Sequence, residues 1–372
     1  MQKNQNKQKT KIKIIYITPT LRQGGAERFI VDLILNLDKN KYLPTLILFQ
    51  EAGLWIKELK DAHINVIVLR KRFKIDIINF LTILKNIKKN RPDIVHTQLG
   101  GDIYGRLAAK ILKIPIIIST EQNLNPDENI IRNLFKRFTN KFASKIIAIT
   151  LAVKNDLMKR YNVPDNKIEI ISNGVNINKF FKLNKNTIKK TKEIVIGTIG
   201  RLVPQKGHNI LIEALAKINN LNFKCFIAGD GPLKNQLKNQ INSFGLQNKI
   251  KLVGLIDDVP NFLNSLDVFV FPSIWEGQGI VIMEAALKGL PIIASEVDGI
   301  KELLNQDTAY LVKPGSPEEL ASKISYVFKN INSEEIKIKT IKLKQEAIDK
   351  YSIKKITENY EELYQKILHS KN

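Results

Sequence analysis

The sequence has one cysteine, few acidic residues and no long apolar run. Among 372 residues Cys225 stands alone, which excludes an intramolecular disulfide and any Cys-rich metal site and fits a reducing compartment. Its setting, FKCFIAGDG, reads as a buried strand, so the thiol belongs to a core and not to a nucleophile. No apolar stretch approaches the ~20 residues needed to span a bilayer. The opening MQKNQNKQKTK is polar and basic and lacks the apolar segment of a secretory signal. The expected location is the cytoplasm, with a peripheral position on the inner face of the cytoplasmic membrane as the variant. Acids number 36 against 59 Lys and Arg, a formal charge of +23. The deficit is uneven: residues 1–186 carry 34 cations and 15 acids, residues 187–372 carry 25 and 21. Lys divides 25 to 24, but nine of ten Arg fall in the first half. Compositional drift would affect both halves alike, so the first half is expected to meet something acidic.

What is present is a regular alternation of short apolar runs with amphipathic stretches, the pattern of parallel sheets covered by helices. Strands are predicted at 13–18, 44–49, 65–69, 93–96, 114–120, 146–149 and 167–171. A second series follows at 194–199, 223–228, 250–253, 268–271, 291–294 and 309–312. The polar stretch Lys179–Lys192 separates the series and reads as a linker. The expected fold class is therefore α/β, with two Rossmann-like doubly wound parallel-sheet domains at 1–180 and 190–351.

In such sheets ligands bind beyond the carboxyl ends of the strands, and the loops there are Gly-rich and charged. Gly24 and Gly25 follow the first strand and precede an apolar-periodic helix. The GxGxxG fingerprint is missing, so two readings stay open: a plain tight turn, or close backbone approach to phosphate or sugar. After the strand at 194–199 comes GRLVPQKG, with Arg201 and Lys206 on one loop. A planar fork and a mobile point charge make a clamp for a diphosphate. The segment SIWEGQGIVIMEAALKG places Glu276 and Glu284 eight positions apart, about 80° apart on a continuous helix. The two carboxylates thus need not pair, and Glu276 is expected in a loop facing a reacting sugar with Glu284 on a helix facing a ribose. The first amides of that helix, at Gly279, Ile280 and Val281, are placed to receive phosphate.

Taken together, GGAER, SNGVN, GRLVPQKG, GDGP and EGQGIVIMEA resemble the retaining glycosyltransferases of family four, the glycosyl transferases group 1, which have the GT-B fold of two Rossmann-like domains facing across a cleft. The resemblance covers almost the whole chain. It implies transfer of a sugar from a nucleotide-diphosphate sugar, a UDP-sugar as the first expectation, to a glycan or lipid-linked acceptor in cell-envelope polysaccharide or lipopolysaccharide synthesis. Arg201, Lys206, Ile280, Val281 and the close-approaching Gly25 would meet the donor diphosphate, and Glu284 the ribose. Glu276 and His96 would be catalytic, and Gly277, Gln278 and Gly279 would line the donor sugar. Gln278 departs from the family, where a bulky apolar residue is common, and is a candidate specificity residue. No Asp-x-Asp pair occurs, so no metal and no cofactor is expected. Retention by a covalent intermediate or by same-face attack is left open. A C-terminal helix at 352–369 is expected to return to the first domain.

In this architecture the first domain takes the acceptor, and it holds the excess charge. In NIIRNLFKRFTNKFASK the residues Ile131, Leu134, Phe135, Phe138 and Phe142 share a helical face, with Arg132, Lys136, Arg137 and Lys141 on the rest. Two readings stay open: a basic amphipathic helix on an anionic membrane, or a surface helix packing that face on its own sheet. Rival functions are a non-hydrolysing sugar-nucleotide epimerase, disfavoured by the E-x7-E segment with its Arg-Lys loop, and a nucleic-acid-binding protein. The second finds no zinc-finger, RNA-binding or helix-turn-helix pattern, so nucleic acid is not an expected partner.

Overall fold

The computed structural model describes residues 11–22, 24–70, 76–124, 128–181 and 193–370. The first sheet contains β1 (Ile12–Thr18), β2 (Tyr42–Leu48), β3 (Asn65–Val68), β4 (Ile94–Gln98), β5 (Ile116–Glu121), β6 (Lys145–Ala148) and β7 (Ile168–Ile170). The second contains β8 (Ile194–Ile199), β9 (Phe223–Ala228), β10 (Ile250–Gly254), β11 (Val268–Phe271), β12 (Ile292–Ser295) and β13 (Tyr310–Val312). The orders are β3-β2-β1-β4-β5-β6-β7 and β10-β9-β8-β11-β12-β13, and the strand pairs are parallel. The doubly wound expectation holds in both halves, and each predicted strand has its counterpart. β4 differs in a way that matters, because it runs two residues past His96.

The helices in chain order are α1 (Gly25–Asn36), α2 (Ile56–Asp61), α3 (Ile77–Asn90), α4 (Asp102–Ile111), α5 (Ile130–Asn140), α6 (Leu151–Tyr161), α7 (Asn178–Phe181) and α8 (His208–Lys217). They continue as α9 (Lys234–Ser243), α10 (Val259–Asn264), α11 (Ile280–Leu287), α12 (Asp298–Lys301), α13 (Pro317–Lys329), α14 (Glu334–Tyr351) and α15 (Ile353–His369). Helices on both faces explain why the strands are apolar without alternation. In β11, Val268 and Val270 join a core with Leu211, Phe223 and Cys225, while Phe269 and Phe271 join another with Ile282 and Ala286. Burial pushes the Cys225 thiol far up and keeps it protonated.

The chain forms two compact units. One holds the described residues of Met1–Ile149, Lys154–Ile171 and Thr357–Asn372; the other holds those of Thr150–Val153 and Ser172–Ile356. Chain order alone puts the first boundary at 180, but the SNGVN segment belongs to the second unit for a specific reason. Val175 bridges to Ser352 in parallel, its N–H donates to Tyr351 O at 2.8 Å, and Ile353 N donates to Val175 O at 2.9 Å. Most of α15 packs on the first sheet, burying Tyr360 and Tyr364. There Glu361 accepts from the Asp38 amide at 2.7 Å and Gln365 donates to the Tyr42 hydroxyl at 3.0 Å. Of the expected linker, residues 182–192 lie outside the described residues, as does the basic N-terminal segment 1–10.

Candidate active site

Two loops of the second unit are locked together beyond the carboxyl ends of β8 and β11. The first runs Gly200–Gly207 and closes in a short 3-10 turn, Pro204–Lys206. Gly207 has φ +63°, and a Cβ there would lie 2.0 Å from the Pro272 carbonyl oxygen, so only glycine fits. Ile274 N donates to Gln205 O at 2.8 Å and Gln205 Nε2 donates to Trp275 O at 3.1 Å. This lacing puts Lys206 Nζ 2.5 Å from Glu276 Oε2 and 5.1 Å from the centre of the Phe271 ring. Ser273 Oγ lies 3.4 Å from the same carboxylate oxygen. Glu276 is buried and Lys206 is half-buried, so Lys206 is the more open member of the pair.

The Glu276–Gly279 stretch is fixed from three further directions. Thr150 Oγ1 donates to Gly277 O at 3.0 Å. Gly299 comes so close that a Cβ would sit 2.2 Å from Glu276 O and 2.4 Å from Gly277 O. Gln278 Oε1 accepts from the Asn173 amide at 2.9 Å, and its Nε2 lies 3.4 Å from Asn173 O. The expected donor-sugar role of Gln278 is therefore corrected: its side chain is buried and both ends of its amide hold the SNGVN backbone. Gly279, φ +76°, then turns the chain into α11 without a side-chain cap. The first amides of α11, at Ile280 and Val281, precede the first intrahelical bond, which Ile282 N makes to Gly279 O. Glu284 lies half-buried on this helix and Glu276 off it, which separates the carboxylates as their spacing implied. Arg201 is exposed at the head of the first loop, behind which Gly229 approaches so closely that a Cβ would be 2.0 Å from Gly200 O. His208 opens α8 behind the same loop; burial pushes its pKa down to about 4.

The first unit overturns one catalytic expectation. Because β4 continues to Gln98, His96 is an interior strand residue and not the strand's last. It is 1% exposed, with Nδ1 2.7 Å from Tyr364 Oη and Nε2 2.8 Å from Thr120 Oγ1. The Tyr360 ring stacks on it at 5.8 Å, and burial pushes its pKa down to about 3. His96 is thus a neutral core residue whose ring nitrogens are both engaged, and it has no access to a substrate. The strand-end position belongs to Gln98, which the sequence reading missed. It is buried, Gln122 Nε2 lies 3.4 Å from its Oε1, and its own Nε2 has no hydrogen-bond partner among the described residues. Thr18 Oγ1, at the end of neighbouring β1, is likewise buried and unpartnered among those residues. β1 and β4 flank the point where the strand order reverses, the expected ligand position of such a sheet. The available signal was a polar pair ending two apolar strands, IKIIYIT and IVHTQ. Gly25 opens α1 and is exposed.

Of the four cations on the basic helix, Lys136 is not at the surface. It is buried, 2.9 Å from Glu121 and 3.4 Å from Glu128, with the Tyr161 ring centre at 5.1 Å. Arg132 pairs with Glu128 at 2.7 Å while half exposed, and Arg137 and Lys141 are exposed. Phe142 lies past the end of α5 and packs on the core of the first sheet.

Comparison with known proteins decides the family. Residues 23–179 match the model of glycosyltransferase family 4, and residues 179–343 that of the glycosyl transferases group 1. The chain is 30% identical over 309 residues to the UDP-Gal:alpha-D-GlcNAc-diphosphoundecaprenol alpha-1,3-galactosyltransferase of Escherichia coli, covering 78% of this chain and 79% of that one. The chain belongs to this glycosyltransferase family. It is also 28% identical to the capsular polysaccharide biosynthesis glycosyltransferase CapM of Staphylococcus aureus, over 85% of this chain and 88% of that protein. A glycosyltransferase structure from Rickettsia africae superposes with a TM-score of 0.83 at 26% identity, covering 97% and 99% of the two chains. Anabaena Alr3699/HepE in complex with UDP-glucose shares the fold, TM-score 0.85 at 22% identity, over 95% and 100%. The fold is GT-B, and membership decides between the transferase and the epimerase. No helix among the described residues of this glycosyltransferase is long and apolar enough to cross a membrane.

Proposed function

We propose that the enzyme transfers a sugar from a UDP-sugar, with retention and without a metal ion, to a lipid-linked glycan acceptor in cell-envelope polysaccharide synthesis, on the cytoplasmic side of the membrane. The observation that carries the reading is the Lys206–Glu276 pair, 2.5 Å apart on two laced loops beside the uncapped start of α11. As the bond from the anomeric carbon to the diphosphate oxygen breaks, negative charge grows on the leaving UDP. Lys206 and Arg201 neutralise that charge, and the first amides of α11 donate to it, so the fixed dipoles favour the transition state over the ground state. Glu276 faces the positive charge developing on the sugar, and Glu284 accepts from the ribose hydroxyls. The acceptor oxygen bonds to the same face of the anomeric carbon, and its proton leaves with the diphosphate.

The choice of UDP and of a lipid-linked acceptor is supported by the Escherichia coli relative, whose name states both a UDP-sugar and a diphosphoundecaprenol acceptor. Thermal unfolding with UDP-sugars and GDP-sugars tests the donor, since a ligand bound only to the native state raises the midpoint by mass action. Stabilisation by UDP-sugars alone is expected, and stabilisation by GDP-sugars alone overturns that choice. With the donor known, transfer unaltered by chelator and an α-linked product from an α-linked donor are expected. Loss of transfer with chelator, or an inverted product, defeats metal independence or retention.

A further inference from the structure

The helix α5 is built inside out. Ile130, Ile131, Leu134, Phe135 and Phe138 are 54–77% exposed, while the positions facing the protein are Lys136, Thr139 and Asn140. An ordinary surface helix turns its apolar stripe to the core. Here Lys136 is drawn inward by Glu121 and Glu128, Arg106 donates to Asn140 Oδ1, and the stripe is left outside. The helix α3 does the same at its start, where Ile77, Ile78 and Leu81 are 52–65% exposed.

Topology puts these residues at one place. α3 follows β3 and α5 follows β5, and each returns to the start of the next parallel strand, so both helices begin at the carboxyl edge of the first sheet. Both pack against α4. Leu54, in the loop after β2, adds another exposed apolar side chain at that edge. The two helices contain no acidic residue and present Lys85, Lys88, Lys89, Arg137 and the adjoining Lys141 to solvent. In the second unit, by contrast, Phe244 and Leu255 stand on separate elements and Ile338 and Ile341 form a single exposed pair on α14, as on any soluble surface.

We infer that α3 and α5 form a face that docks into the interface of an anionic lipid bilayer. Apolar side chains enter the boundary between headgroups and acyl chains, and the cations beside them meet the phosphates. A second copy of this chain fits poorly, because apposed faces would bring two acid-free, cationic helix pairs together. The carboxyl edge is also where the acceptor binds in the proposed reading, on which this one clause rests, so a lipid-linked acceptor would be taken up from the surface the enzyme sits on.

Flotation of the full chain with vesicles tests the face without donor or acceptor, so its outcome is independent of the transfer reading. Vesicles of phosphatidylcholine with about one-third phosphatidylglycerol are expected to carry the protein up, and phosphatidylcholine alone to carry much less. The double variants Ile131→Ser/Phe135→Ser and Arg137→Glu/Lys141→Glu should each lower partitioning about tenfold or more, with the unfolding midpoint unchanged because all four side chains are exposed. Ile338→Ser/Ile341→Ser on α14 should have no effect on partitioning. Equal binding to both vesicle types, or full binding by the Ile131/Phe135 variant, overturns the proposal. So does a wild-type dimer in sedimentation that the Ile131/Phe135 variant converts to monomer, which would assign the face to a second copy.

Discussion

Each unit of the enzyme holds a Lys–Glu pair beside its parallel sheet, and the two pairs are set differently. Lys136 is held by two carboxylates, Glu121 and Glu128, with its side chain 4% exposed. Their negative charge overcomes burial and raises its pKa. Lys206 has the single carboxylate of Glu276, and its side chain is 16% exposed. In the proposed reading the cation with two partners holds a helix in place, whereas the more open one with a single partner takes an incoming anion. The number of partners and the exposure distinguish the two pairs, where residue type and ring contact do not, since each ammonium lies 5.1 Å from an aromatic ring centre.

The sharpest way to break this comparison is to remove each cation. Lys136→Met strands the buried Glu121 carboxylate, while Glu128 keeps Arg132, and is expected to cost about 3–5 kcal/mol of stability, read by denaturant unfolding, with turnover per folded molecule preserved. Lys206→Ala should instead lower kcat about 10²–10³-fold. Adding Glu276→Ala should recover stability lost by stranding that carboxylate without recovering turnover. If Lys206→Ala keeps its rate, the second pair is architecture too. A smaller effect is expected from Gln278→Leu, which removes the Oε1 acceptor of the Asn173 amide: about 1–3 kcal/mol of stability, with the ranking of donor sugars unchanged. A changed ranking would return Gln278 to the sugar pocket.

The most gradual effect, about 1.4 kcal/mol per pH unit, is in acid, and it also divides the units. His96 and His208, pushed down to about 3 and about 4 by burial, are neutral in the fold but take protons in the unfolded chain below about 6.5. Their contribution is present above that pH and is lost as pH falls toward the folded values. Asp102 is pushed up to about 6 by burial, so its contribution runs the other way, present in acid and lost as pH rises from about 4 to 6. In the first unit His96 and Asp102 offset one another over this window, and in the second His208 is unopposed. The second unit should therefore lose protection more steeply as pH falls from about 6 to 4, as read by hydrogen exchange. His208→Asn should remove about 1.4 kcal/mol per pH unit from its slope.

Sequence alone carried most of this. The strands were legible because parallel strands covered on both faces are continuous apolar runs, and the site loops because glycines with positive φ or with no room for a Cβ, as at 207 and 279, interrupt them. What failed turned on one or two residues of register or on direction. His96 lost its role because β4 runs two residues further, which a propensity reading of strand ends does not resolve. Gln278 looked like a pocket residue because its backbone partner, Asn173, is 105 positions away. Periodicity gave α5 its apolar face but not the way that face points, which long-range pairing of Lys136 with Glu121 decides.

The hydroxyl pair Tyr16–Tyr364, 3.1 Å apart across 348 positions, bears on the order in which the enzyme is made. The first unit closes its core over His96 only with a helix from the end of the chain. At the usual ~5–20 residues per second of synthesis, that helix follows Tyr16 by roughly 20–70 s. The second unit, which takes residues 172–356 and a short earlier turn, has nearly all its parts before then. The part of the protein that is translated first is thus the part that is finished last.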